Sequence, residues 1–531
     1  MNRVASILRS GVNKPPLLRL FISVLPILLN ACAPVGPDFV QPEINPTTQW
    51  SEPTEQGLES TPQQVVKWWQ VFNDPILNEL VESARANNNT LEIAGLRVLE
   101  SRAQLGVAIG TLYPQSQRLN GSATNISPPD SSGSTSNYWQ YNLGLSAAWE
   151  IDFWGRFRRG IESADAAFMA SIAAYDQVLV ILTAQVVDTY TVIRSTEEQQ
   201  RISQENIRIQ QHSYAITEVL YRNGQDSGLD MQQANSLLLS TQSTIPALEI
   251  SLKQARNALS TLLGQAPGTV TALLTQEKDP QAIPVIPVDI PVGFPADMLR
   301  RRPDVRQAEL QAIAQNALVG LAEADLYPSF SLIGSIGLAA GGPVDDDFGD
   351  LFDSDAITYT VGPSFTWPFL SYGRIRNNIR VQDARLQQAL VNYRETVLQA
   401  AREAEDAMAG FNGSTQQSAL LAKTVVSSKR SNELATIRFR EGFSDYQRVL
   451  DAQQSLFSQQ QRYVTSQSDK VRSLIALYKA LGGGWEDRAG LPMIAPDTQK
   501  TMQERTNWGD LLETGYQKSD DEKDGIRWPD W

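Results

Sequence analysis

With 531 residues, the chain needs several domains or one very elongated architecture, because a single compact core rarely grows so large. Ordinary proportions of apolar and charged residues argue against disorder over most of the length. A formal net charge of −14 makes nucleic acid a poor partner, and a single histidine, His212, excludes zinc clusters and histidine-based catalytic triads.

The first 31 residues have the layout of a secretory signal. They contain four cations and no acid, and an apolar stretch from Leu17 to Leu29 stops just before Cys32. This stretch is too short for a permanent span, so we interpret residues 1–31 as a cleaved lipoprotein signal peptide. Without those four cations, the 45 basic residues fall to 41 against 59 acidic ones, a mature net charge of about −18.

Cys32 is the only cysteine and occupies the position that a lipoprotein signal peptidase would leave as the new first residue. We predict that Cys32 carries covalent lipid, worth roughly 0.8 kcal/mol per buried methylene, and that residues 32–66 form an extended, lipidated segment. Ala33 follows, and the absence of Asp there favours sorting to the outer membrane. The alternative is an incidental cysteine in a signal peptide cut elsewhere. One thiol excludes intrachain disulfides.

Two halves of the chain repeat one another, which indicates a tandem duplication. Matching segments occur in the same order in both halves. They are Leu112-Tyr113-Pro114 with Leu326-Tyr327-Pro328, Trp149 with Trp367, Gly155-Arg156 with Gly373-Arg374, and Leu229-Asp230 with Leu450-Asp451.

The duplication defines the domain organisation. We assign repeat 1 to residues 67–279 and repeat 2 to residues 296–485. The proline-rich linker at 280–295 favours an extended path between them. Residues 486–531, which include an acidic run and two terminal tryptophans, are predicted to be a disordered tail.

Each repeat is predicted to contain a helix, a strand pair and two very long helices. Between Ile161 and Asn223 there are 63 residues without Gly or Pro, which as α-helix would run about 95 Å. Apolar residues recur there at three- and four-residue steps, as in a helix that buries one stripe. The predicted strand pairs and long helices are 115–151 and 158–263 in repeat 1, and 329–368 and 374–481 in repeat 2.

The strand pairs alternate in polarity. From Trp139 to Trp149 the odd positions are apolar and the even ones mostly polar or small, and 357–367 repeats this in phase. The pattern is typical of membrane strands ending in aromatic residues at the lipid interface, where we place Trp149, Trp154 and Trp367. Half-buried sheets of soluble proteins alternate in the same way, so that alternative stays open here.

Four strands cannot form a closed membrane sheet. In hydrocarbon every backbone donor and acceptor must be paired, and closed membrane barrels start at about eight strands. Several chains must therefore pool their strands, and a homotrimer would supply twelve. The predicted fold class is α+β: tandem repeats of long antiparallel helices form an α-helical barrel, joined to a transmembrane β-barrel with four strands per chain and twelve per trimer.

Five short motifs carry a family resemblance: 35-VGPDF-39, 68-WW-69, 149-WEIDFWGR-156, 301-RRPDVR-306 and 480-ALGGGW-485. With these motifs the sequence resembles the TolC-like outer-membrane efflux proteins, specifically their lipoprotein branch of the NodT and OprM type, over roughly residues 32–485. The resemblance implies a homotrimer in the cell outer membrane, a twelve-stranded barrel in contact with lipid, and a helical tunnel extending into the periplasm. It also implies a periplasmic adaptor (membrane fusion) protein and an inner-membrane pump of the resistance-nodulation-division (RND) type as partners.

The resemblance further implies a constriction at the periplasmic tip. Turns between the long helices are expected near Gly224 and Gly442, with Asp230 and Asp451 just beyond them. The family's constricting aspartate ring maps onto Asp451, where three like charges would repel one another and attract cations. The alternative is a solvated carboxylate on a helix face.

Three departures from the family pattern affect this gate. Gln447 and Gln454 replace a leucine and an arginine of relatives similar to OprM. The family's tyrosine and arginine latch maps to Phe439 and Arg438, so the tyrosine hydroxyl is missing. We therefore predict a gate that opens more easily than one with the leucine and tyrosine restored.

The sequence predicts a passive exit duct for small molecules such as drugs, not an enzyme, with no metal and no cofactor beyond the lipid on Cys32. Acidic pairs such as Glu403 and Glu405 occur in any charged helix and do not indicate catalysis. The alternatives are an exit duct for type I protein secretion and a lipid-anchored periplasmic scaffold without a pore, with a hydrolase more distant.

Overall fold

The computed structural model describes residues 34–42, 66–127, 137–225, 227–274, 283–286, 301–342, 347–486 and 492–512. The predicted signal peptide, Cys32 and most of the linker at 280–295 lie outside these residues.

The described chain contains ten α-helices and one four-stranded sheet, in an order that repeats. Repeat 1 runs α1 Pro75–Asn87, α2 Asn89–Gly110, β1 Ser116–Ile126, β2 Tyr138–Ile151, α3 Arg156–Arg222, α4 Gly228–Gln242, α5 Thr244–Leu262 and α6 Val270–Leu274. Repeat 2 runs α7 Pro303–Ala324, β3 Ser329–Ala340, β4 Ile357–Thr366, α8 Arg374–Arg440 and α9 Gln447–Ala480, followed by α10 Pro496–Arg505.

The two longest helices confirm the elongated architecture. α3 and α8 each contain 67 residues, which corresponds to about 100 Å. Each begins after a glycine with positive φ, Gly155 at 76° and Gly373 at 80°. α8 continues unbroken through Gly410 and Gly413, although glycine weakens a helix by about 1 kcal/mol relative to alanine.

The second of the two long helices predicted over 158–263 is divided into α4 and α5, which corrects that prediction. α4 ends at Gln242 and α5 begins at Thr244, with Pro246 in its first turn. Proline lacks the N–H that would continue the helical ladder, so it is tolerated only where a new helix starts. α9, which has no proline, runs unbroken for 34 residues.

The strands form one antiparallel sheet in the order β1-β2-β3-β4. β2 pairs with β3, so the two repeats meet in the middle of the sheet, with Leu145 opposite Ile336. In the described chain, β1 and β4 pair with another strand on one side only. The observed bounds agree with the predicted strand pairs.

The main apolar core lies partway along the long helices, away from the sheet. It joins α1, α2, the middle of α3, and the ends of α5 and α9. The ring of Trp68 stacks on Tyr478 at 5.2 Å between centroids. Nearby, the Tyr190 hydroxyl donates to Asp74 at 2.6 Å, which fixes the start of α1 against α3.

The predicted disordered tail is in part ordered, which corrects the assignment of residues 486–531. Met493, Ile494 and Met502 are buried in the main core. The backbone N–H of Ala495 donates to Glu92 of α2. A few apolar residues in this polar stretch are enough to order it, because they pack into the core formed by the other helices. Residues 513–531 lie outside the described residues.

One helix of the described chain, α3, has an 18-residue window apolar enough to cross a membrane by length and composition. Of this window, 61% is buried inside the chain, as expected of a core helix.

Candidate functional site

One face of the sheet is apolar and exposed. Leu119, Leu145, Ile336 and Tyr359 form a row across all four strands, and their exposed fractions are 71%, 57%, 58% and 76%. Water is a poor solvent for such a row, whereas lipid is a good one. The alternation predicted for β2 and β4 therefore extends through the whole sheet.

The opposite face carries small polar side chains. Ser146, Ser335 and Thr360 form the neighbouring row, and the hydroxyls of Ser335 and Thr360 lie 2.6 Å apart. The amide of Asn120 in β1 donates to the Ser146 hydroxyl at 3.2 Å. This face can line an aqueous lumen while the other contacts lipid.

The predicted interface tryptophans lie where the strands meet the helices. The indole N–H groups of Trp149 and Trp367 donate to the carbonyls of Leu112 and Leu326, at 3.0 and 3.1 Å. The two repeats thus use equivalent tryptophans in equivalent bonds. In each ring the indole N–H is hydrogen-bonded while the apolar carbon atoms remain exposed. This arrangement is favoured at a membrane interface.

Trp154 plays a different part from the other two tryptophans. Its ring stacks on Tyr327 at 4.5 Å between centroids, and its N–H donates to the carbonyl of Pro328 at 2.8 Å. It therefore holds repeat 1 against repeat 2 just below the sheet.

The segment that follows Cys32 is bound at this same junction, by contacts of residues 35–38 with Trp154, Arg159 and Asn316 that we call the clasp. The N–H of Val35 donates to the carbonyl of Trp154 at 3.0 Å, and the amide of Asn316 in α7 donates to the carbonyl of Pro37 at 2.9 Å. Gly36 has a φ of 93°, and a Cβ added there would lie 2.3 Å from Cα of Gly320. This close passage requires glycine on both sides.

Arg159 completes the clasp. Its guanidinium donates to the carbonyls of Val35 and Gly36 and to Asp38, whose carboxylate lies 2.9 Å away. Burial lowers the pKa of Arg159, but hydrogen bonds and charge from Glu162 and Asp38 outweigh burial and raise that pKa above its ordinary value. Gly320 of α7 thus receives the N-terminal segment, a role that the sequence analysis did not predict.

A cavity of about 270 Å³ opens at the sheet–helix junction. Its walls include Glu150, Arg156 and Asp325, and Arg156 lies 3.5 Å from each of these carboxylates. The cationic and anionic side chains of this cavity are therefore paired with one another.

The two predicted turns lie at the opposite end of the long helices. Gly224 and Gly442 each follow the end of a 67-residue helix by two residues, with φ of 69° and 77°. Ser227 caps the start of α4: its hydroxyl accepts from the backbone N–H of Asp230 at 3.2 Å and donates to the Asp230 carboxylate at 2.8 Å. Asp230 therefore belongs to the capped first turn of α4, where a negative charge is favoured.

Asp451 has a different environment. It lies exposed in the second turn of α9, and the side-chain amide of Gln447, one turn earlier, donates to its carboxylate at 2.8 Å. Gln447, for which the resemblance predicts leucine, therefore contributes a hydrogen bond to the Asp451 carboxylate.

The remaining predicted gate residues surround a small apolar cluster at the tip. The ring of Phe439 meets Tyr446 edge-on, with 5.1 Å between centroids. Tyr446 is buried with Ala234 of α4 and Leu450 of α9. Arg438 and Gln454 are both exposed to solvent in the single chain.

Within the part of the chain that the structure describes, no three His, Cys, Asp or Glu side chains are grouped closely enough to hold a metal ion. An exposed apolar sheet that continues into helices about 100 Å long defines a channel-forming protein of the outer membrane.

Comparison with known proteins gives the family. The model of the outer membrane efflux protein family matches residues 80–265 and 294–483. The chain is 32% identical over 477 residues to the pyoverdine export outer membrane protein OpmQ of Pseudomonas putida, which covers 88% of this chain and 97% of that protein. It is 30% identical over 462 residues to the cation efflux system protein CusC of Escherichia coli, covering 87% and 97%.

Comparison with solved structures gives the same family. The outer-membrane channel OprN superimposes with a TM-score of 0.78 at 32% identity, covering 85% of this chain and 99% of that one. CusC gives a TM-score of 0.74 at 29% identity, covering 85% and 100%. The chain belongs to the outer membrane efflux protein family, and the predicted TolC-like fold, outer-membrane location and role as an efflux exit duct are confirmed.

Proposed function

We propose that three copies of this chain close one twelve-stranded barrel that continues into a helical tube, and that this duct passes small solutes without catalysing a reaction. The observation that carries the proposal is the sheet itself: its outer face is apolar, and in the described chain β1 and β4 each have one edge with no strand beside it. In lipid those edges must be paired, and further copies of the same sheet can pair them.

The same proposal includes a lipid on Cys32. Val35 is fixed at the sheet–helix junction, only three residues after Cys32. Three residues span at most about 10 Å, so a lipid attached three residues before Val35 would be tethered close to that junction, from which acyl chains could enter the membrane.

Small molecules are favoured over proteins as cargo. The relatives are named for pyoverdine, for cations and for toluene, which are all small. Membership in such systems also supports a periplasmic adaptor and an inner-membrane RND-type pump as partners, because the family supplies the exit duct only. A scaffold without a pore would leave the exposed apolar face of the sheet without a role.

The decisive experiment uses the mature Cys32→Ala protein, which lacks the lipid but keeps the sheet. We expect it to require detergent, to have the mass of a trimer by light scattering, and to conduct ions across a planar lipid film. A monomer that is stable in plain buffer and carries no current would contradict the proposal.

A further inference from the structure

Charged residues are nearly absent from the four strands. β1 contains one, Arg118, and β2 contains one, Glu150, while β3 and β4 contain none. Arg118 lies directly opposite Ser146, and directly opposite residues of two antiparallel strands share a face of the sheet. Arg118 therefore belongs to the polar face, which lines the lumen in the proposed duct. Any charge preference that the strands give to this lumen depends on these two charged positions.

We infer that the Arg118 side chains, one from each copy, form a positive ring inside the barrel that favours solutes carrying a carboxylate, sulfonate or phosphate group over cationic solutes. The inference rests on the proposed duct. It adds a residue that determines specificity and the charge class of solute that this residue favours.

Glu150 does not neutralise Arg118. It lies four residues along β2 from Ser146, the residue opposite Arg118, which corresponds to about 14 Å along the strand. This distance exceeds the Debye length of about 10 Å at 0.1 M salt, so the two charges interact weakly across a water-filled lumen. The Glu150 carboxylate lies 3.5 Å from the guanidinium of Arg156, at the foot of the sheet. The charge of Glu150 is thus offset by Arg156, whereas the positive charge of Arg118 keeps its field.

The edge strand of a neighbouring copy brings no acid to Arg118. In the described chain, Arg118 is on one edge strand, β1, and the other edge strand is β4. The residues of β4 that share the polar face are all uncharged, and they are Thr358, Thr360, Gly362, Ser364 and Thr366. An identical β4 placed beside β1 therefore offers Arg118 no carboxylate, whatever its register.

Hydroxyl groups continue the row of donors across the sheet. Ser146, Ser335 and Thr360 lie opposite one another in the row that begins with Arg118. The Ser335 and Thr360 hydroxyls are 2.6 Å apart, so one donates to the other and the second hydrogen is left for a ligand. The Ser146 hydroxyl accepts from Asn120 and also keeps its hydrogen. A guanidinium in line with hydroxyl donors matches oxyanions, which accept several hydrogen bonds at once.

The dimensions of the proposed barrel bring every solute close to the ring. Twelve strands about 4.8 Å apart and tilted by about 40° enclose a barrel of roughly 24 Å diameter. Each Arg118 backbone is then about 12 Å from the barrel axis, and its long side chain shortens the distance to a passing solute. This distance is close to the Debye length at 0.1 M salt. Lipid around the barrel has a low dielectric constant, which concentrates the field in the lumen.

Charged thiol reagents test the ring at its own height in the barrel, independently of the periplasmic tip. In the Cys32→Ala protein, Ser146→Cys places a single thiol opposite Arg118. The anionic sulfonatoethyl and the cationic trimethylammonioethyl methanethiosulfonate are applied separately to the folded protein in detergent at about 0.1 M salt. Arg118→Gln should lower the ratio of the anionic to the cationic reaction rate by about threefold or more. Arg118→Lys, which keeps the charge, should preserve the ratio.

Ser331→Cys is the matched control, because Ser331 lies on the same face but opposite Glu150. Its distance from Arg118 exceeds the Debye length, so Arg118→Gln should leave its ratio unchanged. At about 1 M salt the Debye length falls to about 3 Å, and the effect of Arg118→Gln at position 146 should largely disappear.

Three results would overturn the ring: an unchanged ratio at position 146 in Arg118→Gln, an equal change at position 331, or the same loss in Arg118→Lys. The last result would mean that arginine has a structural role and that its charge does not matter. If neither thiol reacts with either reagent, the polar face does not line a water-filled lumen, and the proposed duct is overturned as well.

Discussion

The predicted gate residues contact one another within the chain. At the position where the family pattern has leucine, the side-chain amide of Gln447 donates to the carboxylate of Asp451 at 2.8 Å. At the position where the pattern has tyrosine, Phe439 packs on Tyr446. The tip therefore combines a polar surface around Asp451 with an apolar cluster, and position 439 has no hydroxyl.

We predict that Gln447→Leu combined with Phe439→Tyr lowers the single-channel conductance, with Asp451 left intact. Leucine would narrow the opening with apolar bulk, and the tyrosine would restore a hydrogen-bonding latch that must break before the helices separate. Planar-bilayer recordings measure the effect, and Gln211→Leu on exposed α3 surface is the control. A wild-type conductance no higher than that of the double variant would refute the idea.

Tyr478 gives a prediction about pH. Burial beneath Trp68 raises the pKa of the Tyr478 hydroxyl from 10.0 to about 12. Because the folded pKa lies above the unfolded one, this proton contributes stability that is complete below pH 10 and is lost as the pH rises to 12. The contribution is at most about 2–3 kcal/mol per chain.

Tyr478→Phe should therefore lose less stability between pH 10 and pH 12 than the wild type does. Thermal unfolding followed by circular dichroism in that window measures the difference, and Tyr221→Phe at an exposed position is the control. Equal losses in wild type and Tyr478→Phe would show that other groups cause any alkaline weakening.

At the scale of elements, local patterns predicted what depends on local sequence. The alternation indicated the strands, and the absence of Gly and Pro from Ile161 onward indicated α3 as far as its C-terminal end. The ordered segment around Met493 was not predicted, because its few apolar residues are buried only by packing against a core that distant helices form. The clasp escaped for the same reason: Val35, Arg159 and Asn316 are far apart in the chain.

The clasp leads us to predict that adding one methyl group at Gly36 destabilises the N-terminal segment. Gly36→Ala combines an unfavourable positive φ with a Cβ 2.3 Å from Gly320, and should cost about 1–3 kcal/mol or detach the segment. We expect faster protease cleavage within 34–42 and a lower melting temperature. Gly342→Ala, whose added Cβ would meet nothing within 4 Å, should leave both unchanged. Normal protease resistance in Gly36→Ala would exclude a tight passage between α3 and α7.

At the scale of the whole molecule, the contact between α3 and α9 changes from apolar to polar toward the tip. The amide of Gln453 donates to the Ser213 hydroxyl at 2.8 Å, and that of Asn206 donates to Gln460 at 2.8 Å. Such groups recover hydrogen bonds from water when the helices separate, so a polar seam loses less free energy on opening than an apolar one. We expect the duct to widen along this seam.

A substitution at Gln210 of α3 tests whether the duct widens between α3 and α9. It is 2% exposed, and neither its amide nitrogen nor its amide oxygen has a hydrogen-bond partner in the described chain. Each unsatisfied buried group costs about 1–3 kcal/mol, so Gln210→Leu, which has similar volume, should raise the melting temperature by several degrees. Gln210 is four residues after Asn206 and three before Ser213, so helical spacing puts it on the face of α3 that bonds to α9. The variant should therefore also make the channel open less often in bilayers. Gln211→Leu, on the exposed neighbour, should change neither quantity. A lower melting temperature for Gln210→Leu would mean that the amide is satisfied in the assembled duct, and a higher one with unchanged opening would place the movement elsewhere than between α3 and α9.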